Sequence, residues 1–390
     1  MAMLDVARSL AEEISERAAE GEAARTMPPD LVDRLRREGL FRMAVPRSLG
    51  GLELDPVEVL EVVEEVSRAD ASAGWTVLIG NASAFFAWLD PAVTRAMLAD
   101  GPVISTGVFA PLGRGVPVAG TDQLVLTGRW PFNSGCMHAD WFQVGFLMMD
   151  GEQPATRADG QPDWRFAYLR RDEAEVLDTW RAGGLRGTGS HDVAARGVRI
   201  PVARTAMPML DEPRHDSRLL QVGFRAYTAV LLTGFPLGVG RRAIEELEAL
   251  APGKHRWRRD VSVAEDAHTQ LVLGRASAGL LAARAFAVEA FDSAWASVQA
   301  GCRPSEEQRG RMTLAAQQAM DAALTAVDTV HRLAGGSVVF EDHPLGRCFR
   351  DLHAAAQHVF FSGELFAEHG RRLLGLPVAG TGAGAVLRAR

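Results

Sequence analysis

The sequence lacks most of the features that would mark a common function at sight. Its three cysteines, Cys136, Cys302 and Cys348, are too few and too scattered for a disulfide framework or a zinc knuckle, and such sparse usage fits a reducing compartment. There is no basic stripe. A net charge of -7 over 390 residues argues against nucleic acid as the main partner, because phosphate binding needs a concentrated positive face. No stretch reaches the ~18 consecutive apolar residues of a membrane span; the longest apolar run, around 227–240, is interrupted by Thr233, Gly234 and Pro236. The first residues carry acids and no apolar core, so they do not read as a signal peptide. A soluble, cytoplasmic protein without a membrane partner is the expectation.

Other motifs are missing too. No GxGxxG follows a strand and opens a helix, so a Rossmann site for NAD(P)H is unsupported. Gly184–Gly189 reads GLRGTG, but Ser190-His191-Asp192 and a strand come next. Those three adjacent residues cannot reach triad geometry either. HEXXH is absent and no His, Cys, Asp or Glu grouping has zinc spacing, so no metal is expected.

What is present has the texture of a globular enzyme, with 47% hydrophobic and 23% charged residues and length for two or three domains. Apolar spacing predicts helices over 4–25, from Pro28-Pro29-Asp30 to Gly39, over 56–70 and over 72–89. Near Gly101 the pattern changes to short apolar runs between Gly, Pro and Asp, as a β-barrel or sandwich would show. After about Arg218 long helices rich in Ala, Leu and Arg return, over 219–250, 261–300, 306–333 and 349–374. The tail from Ala379 reads as disordered. Segregated α, β and α blocks make this an α+β protein: an N-terminal helical domain (1–100), a central β domain (101–205) and a C-terminal four-helix bundle (206–378), with 379–390 as a tail.

Several segments carry a family resemblance: LFRMAVPRSLGGLELDP (40–56), ADASAGW (69–75), ISTGVFAP (104–111), LTGRWPFNSGCMHADW (126–141), LRGTGSHDV (185–193) and FRDLHAAAQH (349–358). In this order they resemble the acyl-CoA dehydrogenase superfamily. The branch they fit is the oxygenase components of two-component flavin-dependent monooxygenases, such as 4-hydroxyphenylacetate hydroxylase and dibenzothiophene monooxygenase. The resemblance implies an acyl-CoA dehydrogenase-like fold with flavin at the seam of β domain and bundle. It also implies a homo-tetramer and a separate NAD(P)H:flavin reductase that supplies FMNH2 or FADH2.

Within this frame Trp130 and Phe132 would wall an isoalloxazine ring, and Asn133 and Ser134 would meet its polar edge. Taken alone, the same residues read more simply as a strand with core aromatics followed by a turn. By analogy with the family, Val108, Phe109, Ala110 and Pro111 would give backbone contacts, and Ser134 would be a hydrogen-bond donor. Arg258-Arg259 and Arg371-Arg372 would be solvated or reach flavin phosphate. His138 would line the flavin region or support a turn.

The decisive positions lie near the C-terminus. The dehydrogenases' catalytic glutamate falls nine residues after the Arg of an Arg-Asp pair. Here that pair is Arg350-Asp351 and the position is Val359, which cannot take a proton. The family's alternative glutamate would fall near Arg225-Ala226, again without a carboxylate. The monooxygenase branch places a histidine eight residues after the Arg, and that is His358. Its imidazole would deprotonate a phenol or hold a flavin C4a-hydroperoxide. Phenol hydroxylases of the branch usually add a second histidine just after the Gly-Trp motif; after Trp75 this chain has Asn81 and Ser83 instead. With Trp75 and His191 these become candidate substrate residues. A substrate that needs no deprotonation fits this departure: an indole-like ring, a sulfur atom or an amine. The expectation is an oxygenase component that uses reduced flavin and O2 on a small aromatic, heteroaromatic or amine substrate in secondary or catabolic metabolism. The rivals are a dehydrogenase with a displaced base and a non-catalytic homologue.

Overall fold

The structure is a computed structural model that describes residues 2–257 and 260–376. Arg258-Arg259 and the tail from Ala379 lie outside the described residues. The chain opens with six helices: α1 (Met3–Glu16), α2 (Ala18–Ala24), α3 (Pro29–Glu38), α4 (Pro56–Ala69), α5 (Ala71–Gly80) and α6 (Pro91–Met97). Their starts follow capping chemistry. Pro29 and Pro56 sit at first-turn positions where a missing N–H costs nothing. Asp70 caps α5 by accepting from Ala73 N at 2.8 Å. The single helix expected over 4–25 is two, broken at Arg17, which binds Glu20 and Asp30.

The helix expected over 72–89 also stops early. Asn81 accepts from Ala44 N and donates to Leu40 O and to Val77 O, and its backbone bridges to Ser105. A side chain so committed diverts the chain into a 3-10 turn over Ala82–Trp88.

Eight strands follow: β1 (Ser105–Pro117), β2 (Gln123–Trp130), β3 (Trp141–Asp150), β4 (Gln153–Pro154), β5 (Trp164–Arg170), β6 (Glu175–Leu177), β7 (Asp192–Pro201) and β8 (Thr205–Ala206). They form one sheet in the order β6-β7-β2-β1-β3-β5-β8, with β4 beside β3. The pair β1–β3 is parallel and the other pairs are antiparallel. The β domain expected over 101–205 is thus one mixed sheet with end strands β6 and β8. One face of this sheet closes on its own core around Trp130, Phe142 and Phe146.

Five helices complete the chain: α7 (Phe224–Leu250), α8 (Ala267–Gln299), α9 (Glu306–Ala334), α10 (Pro344–Ala355) and α11 (Glu364–Leu373). α7 is buried along its middle and crosses α4 at backbone contact. A Cβ on Gly234 would lie 2.3 Å from Leu60 O, and one on Gly238 would lie 2.1 Å from Glu64 O. This close crossing merges the N-terminal helices and the bundle into one hydrophobic core. The helix expected over 349–374 is interrupted: α10 ends at Ala355, and His358 stands outside any α-helix, as the N-cap of a 3-10 turn over Val359–Phe361.

Candidate active site

Three side chains from three parts of the fold converge. Trp75, on α5, donates from Nε1 to Ser134 Oγ at 3.0 Å. The same indole meets the His358 imidazole edge-to-face, with ring centroids 5.6 Å apart, and Phe235 of α7 at 5.0 Å. The expected pair Ser134 and His358 is therefore brought together, with Trp75 between them.

Ser134 sits in the turn after β2. That turn is laced onto the loop before β7: Asn133 N donates to His191 O at 3.1 Å, Gly135 N to Thr188 O at 2.8 Å and Cys136 Sγ to Gly189 O at 3.2 Å. Burial pushes the Cys136 thiol up to about 12, so it is an inert anchor. The loop in turn grips the bundle. Leu185 N donates to Asp351 Oδ1 at 2.6 Å. A Cβ on Gly184 would lie 2.1 Å from Arg350 O, so only glycine admits this approach.

A hydroxyl chain runs through the laced loops. Ser134 Oγ lies 2.8 Å from Ser190 Oγ, which lies 2.6 Å from Thr188 Oγ1. Thr188 donates to Leu185 O at 2.7 Å.

His358 accepts at Nδ1 from Phe360 N at 3.3 Å. In the neutral ring the proton then resides on Nε2, which leaves one N–H to donate. Burial among Trp75 and Phe361 pushes its pKa down to about 4. Of the two roles expected of His358, the lowered pKa and the Nδ1 bond to Phe360 N favour the second, a neutral ring that holds an oxygen through its N–H. Val359, beside it, is 71% exposed. Among the described residues, no hydrogen-bond or ring partner of Trp75, Ser134 or His358 is a carboxylate.

The other expected site residues divide. Trp130 is wholly buried in the sheet core, over the space left by Gly113 and Gly128, with its Nε1 on Gly145 O at 2.7 Å. This corrects its reading as a flavin wall; the plain core-strand alternative holds for it. Phe132 is 68% exposed in the left-handed region (φ 63°), edge-on to Trp180. An aromatic held there is strained, a feature that collects at functional sites. Asn133 is fully buried, accepts from Thr106 Oγ1 at 2.7 Å and leaves Nδ2 unpartnered. Phe109, Ala110 and Pro111, with Leu112, bulge out of register against Gly145 alone, so their peptides have no ladder partners on β3 or β2. The Phe109 ring joins a cluster with Phe85, Phe166 and Phe224.

Asn81 is corrected as a substrate residue: it is wholly buried and spends its amide on backbone. Ser83 is buried in the following 3-10 turn. His191 holds the β6–β7 loop, its Nδ1 accepting from Thr179 N and Trp180 N, each at 3.1 Å, and burial lowers its pKa. His138 binds Thr26 Oγ1 at 3.0 Å, a supporting contact. Sequence reasoning passed over Thr188, Ser190 and Asp351 as site residues. Asp351 had a readable signal, a carboxyl in the apolar stripe Leu345, Cys348, Leu352 and Ala355 of α10. The hydroxyls had none beyond a polar loop.

These residues fit a flavin ring. Asn133 Nδ2 is an orphaned buried donor, Ser134 and the 109–112 peptides offer further edge contacts, and His358 Nε2 offers an N–H. A cavity of about 230 Å³ between α4, α7 and α8 has none of these residues in its lining.

Comparison with known proteins agrees. Residues 1–91 match the model for the acyl-CoA dehydrogenase N-terminal domain, and 230–363 that for its C-terminal domain. The chain is 30% identical over 380 residues to an indole-3-acetate monooxygenase of Acinetobacter baumannii, covering 95% of this chain and 94% of that protein. The fold matches a 3-HSA hydroxylase from Rhodococcus sp. RHA1 with TM-score 0.87 at 24% identity, covering 98% and 99% of the two chains. It also matches XiaF from Streptomyces sp., solved with FADH2 and glycerol, with TM-score 0.85 at 24% identity over 97% and 96%. The two domain matches and the full-length similarity, which agree with Ser134 and His358 meeting at Trp75, lead to one conclusion: the chain belongs to the acyl-CoA dehydrogenase superfamily, within its branch of flavin-dependent monooxygenase oxygenase components.

Proposed function

We propose that this oxygenase component acts on an electron-rich heteroaromatic ring of the indole type that needs no deprotonation. Reduced flavin, delivered by a separate reductase, supplies oxygen activation when bound. The observation that carries the reading is the convergence of Trp75, Ser134 and His358 without a carboxylate. Phenol chemistry at neutral pH is helped by a base, and the imidazole here is pushed away from that role. The stretch after Trp75 where phenol hydroxylases add a histidine holds Asn81 and Ser83 instead, and the Asn81 amide is already consumed by backbone bonds. His358 Nε2–H can hold an oxygen by a hydrogen bond, while Trp75 and Phe235 exclude water around it. The indole-type substrate named for the relative fits these constraints.

The assembly we propose is a homo-tetramer of soluble subunits. α8 supports it. By length and composition it could cross a membrane, yet only 22% of its apolar stretch is buried, so a second copy has an apolar face to cover.

The test is to mix purified protein with chemically reduced flavin and O2, offering indole-3-acetate, indole, a simple phenol and dibenzothiophene. An oxygenated heteroaromatic product, with phenol the poorer substrate, is expected. Preferred turnover of the phenol would overturn the substrate class. Absence of flavin affinity would overturn the site.

A further inference from the structure

We infer that Thr188 and Ser190 are positioning residues that lock the Ser134 hydroxyl as a hydrogen-bond acceptor, so that the site discriminates reduced from oxidised flavin. The inference rests on the flavin reading above and follows from counting protons.

A carbonyl cannot donate, so the 2.7 Å contact between Thr188 Oγ1 and Leu185 O takes the only Thr188 hydroxyl proton. The 2.6 Å contact between Thr188 and Ser190 must then use the Ser190 proton. The 2.8 Å contact between Ser190 and Ser134 must in turn use the Ser134 proton. At its other side Ser134 already accepts from the Trp75 indole N–H. Every proton in the chain runs from Trp75 towards Leu185, and Ser134 keeps one lone pair and no hydrogen to offer. The expectation of Ser134 as a donor is reversed.

The surroundings hold this polarity. Thr188 and Ser190 are 1% and 3% exposed, so solvent does not re-pair them. The terminal carbonyl is fixed from both sides: Trp180 Nε1 also donates to Leu185 O at 2.9 Å, and Leu185 N is held by Asp351. Leu185 itself stands in the left-handed region at φ 51°, a conformation that aims its carbonyl into the loop. Ser134, 7% exposed, is the most accessible of the three hydroxyl-bearing residues and the one at the donor end of the chain.

A flavin differs between its two redox states in this respect. The oxidised ring offers a bare lone pair at N5, whereas the reduced ring carries N5–H. A ring edge that meets a locked acceptor gains a bond only in the reduced state and faces lone-pair repulsion in the oxidised one.

The test is the ratio of dissociation constants for oxidised and anaerobically reduced FMN and FAD, by titration without substrate. The native protein is expected to hold the reduced form more tightly. Ser190→Ala releases the Ser134 proton to turn towards the ring, and the ratio is expected to fall about tenfold, chiefly through better binding of oxidised flavin. Thr188→Val, nearly isosteric, leaves Ser190 free to reverse and is expected to shift the ratio the same way by less; it serves if Ser190→Ala does not fold. A ratio unchanged in a folded variant, or a native protein without preference, overturns the inference. Failure of both flavin states to bind the native protein overturns the flavin reading itself.

Discussion

At His358 one ring nitrogen is committed to the Phe360 amide and the ring lies among aromatics, so its useful atom is the Nε2 hydrogen. Two expectations follow. His358→Ala should lower product formation by about 10²-fold, within the range for removing one hydrogen-bond donor at a reacting centre, with flavin binding largely kept. His358→Asn, which still offers an N–H, should recover part of the loss; equal loss in both variants would show that the ring serves only packing. The pH dependence has a definite sign. The folded pKa lies below the ordinary value, so the stability linked to the neutral ring is full above about 6.5 and is lost as pH falls towards 4. His358 is half-buried as a residue, and the loss through it on going from pH 7 to pH 5 should be about 1 kcal/mol. Thermal unfolding at pH 7 and pH 5 should show His358→Asn losing less on acidification than the native protein. His358 and Ser134 were legible in the sequence because their spacing from Arg350 and within the Trp-Pro-Phe-Asn-Ser run carries the resemblance. Trp130 was not, because a motif names a residue without saying which side of a strand it faces; Gly113 and Gly128 decided that by opening the inward side.

At the scale of elements, the loop 184–190 and helix α10 meet through Asp351. Burial, then the charge of Asp70, raises its pKa to about 7, and its Oδ2 has no partner. A raised carboxyl pKa costs stability as pH climbs from the unfolded value near 4 to about 7, and the cost is constant above. Asp351→Asn keeps an oxygen for Leu185 N and removes the ionisation, so its melting temperature should fall less than the native one between pH 5 and pH 8. Identical slopes would sink this account. Asp351→Ala orphans the Leu185 amide and should destabilise by about 1–3 kcal/mol. The starts of the helices were readable from Pro29, Pro56 and Asp70. The ends at Gly80 and Ala355 were not, because the apolar run continues past Gly80 and no Gly or Pro stands at Ala355; the long-range bonds of Asn81 and the turn at His358 end them.

At the scale of the molecule, the α, β and α blocks were plain from the change in periodicity near Gly101 and Arg218. The fusion of both helical regions into one core was not, since it depends on Gly234 and Gly238 meeting α4, a contact across some 170 positions of sequence. The same lack of long-range information hid the exposed apolar face of α8, on which the proposed subunit contact rests. Its inward stripe, Ala276, Leu280, Ala283, Ala287 and Phe291, packs within the subunit. Its outward face carries Leu271 and Leu281, 53% and 64% exposed, with exposed Gly274 and Ala278 between them and exposed Ala282 and Ala285 beyond. Small residues there let another helix approach closely, and the two leucines would each gain roughly 1.5–3 kcal/mol on burial. Replacing both by glutamate places unpaired charge in that contact, which costs more than the lost apolar burial alone. The double variant should therefore sediment as a smaller species than the native protein at the same concentration, while helix content by circular dichroism stays unchanged. A native protein that sediments as a monomer, or a double variant of native mass, would remove α8 from the subunit contact.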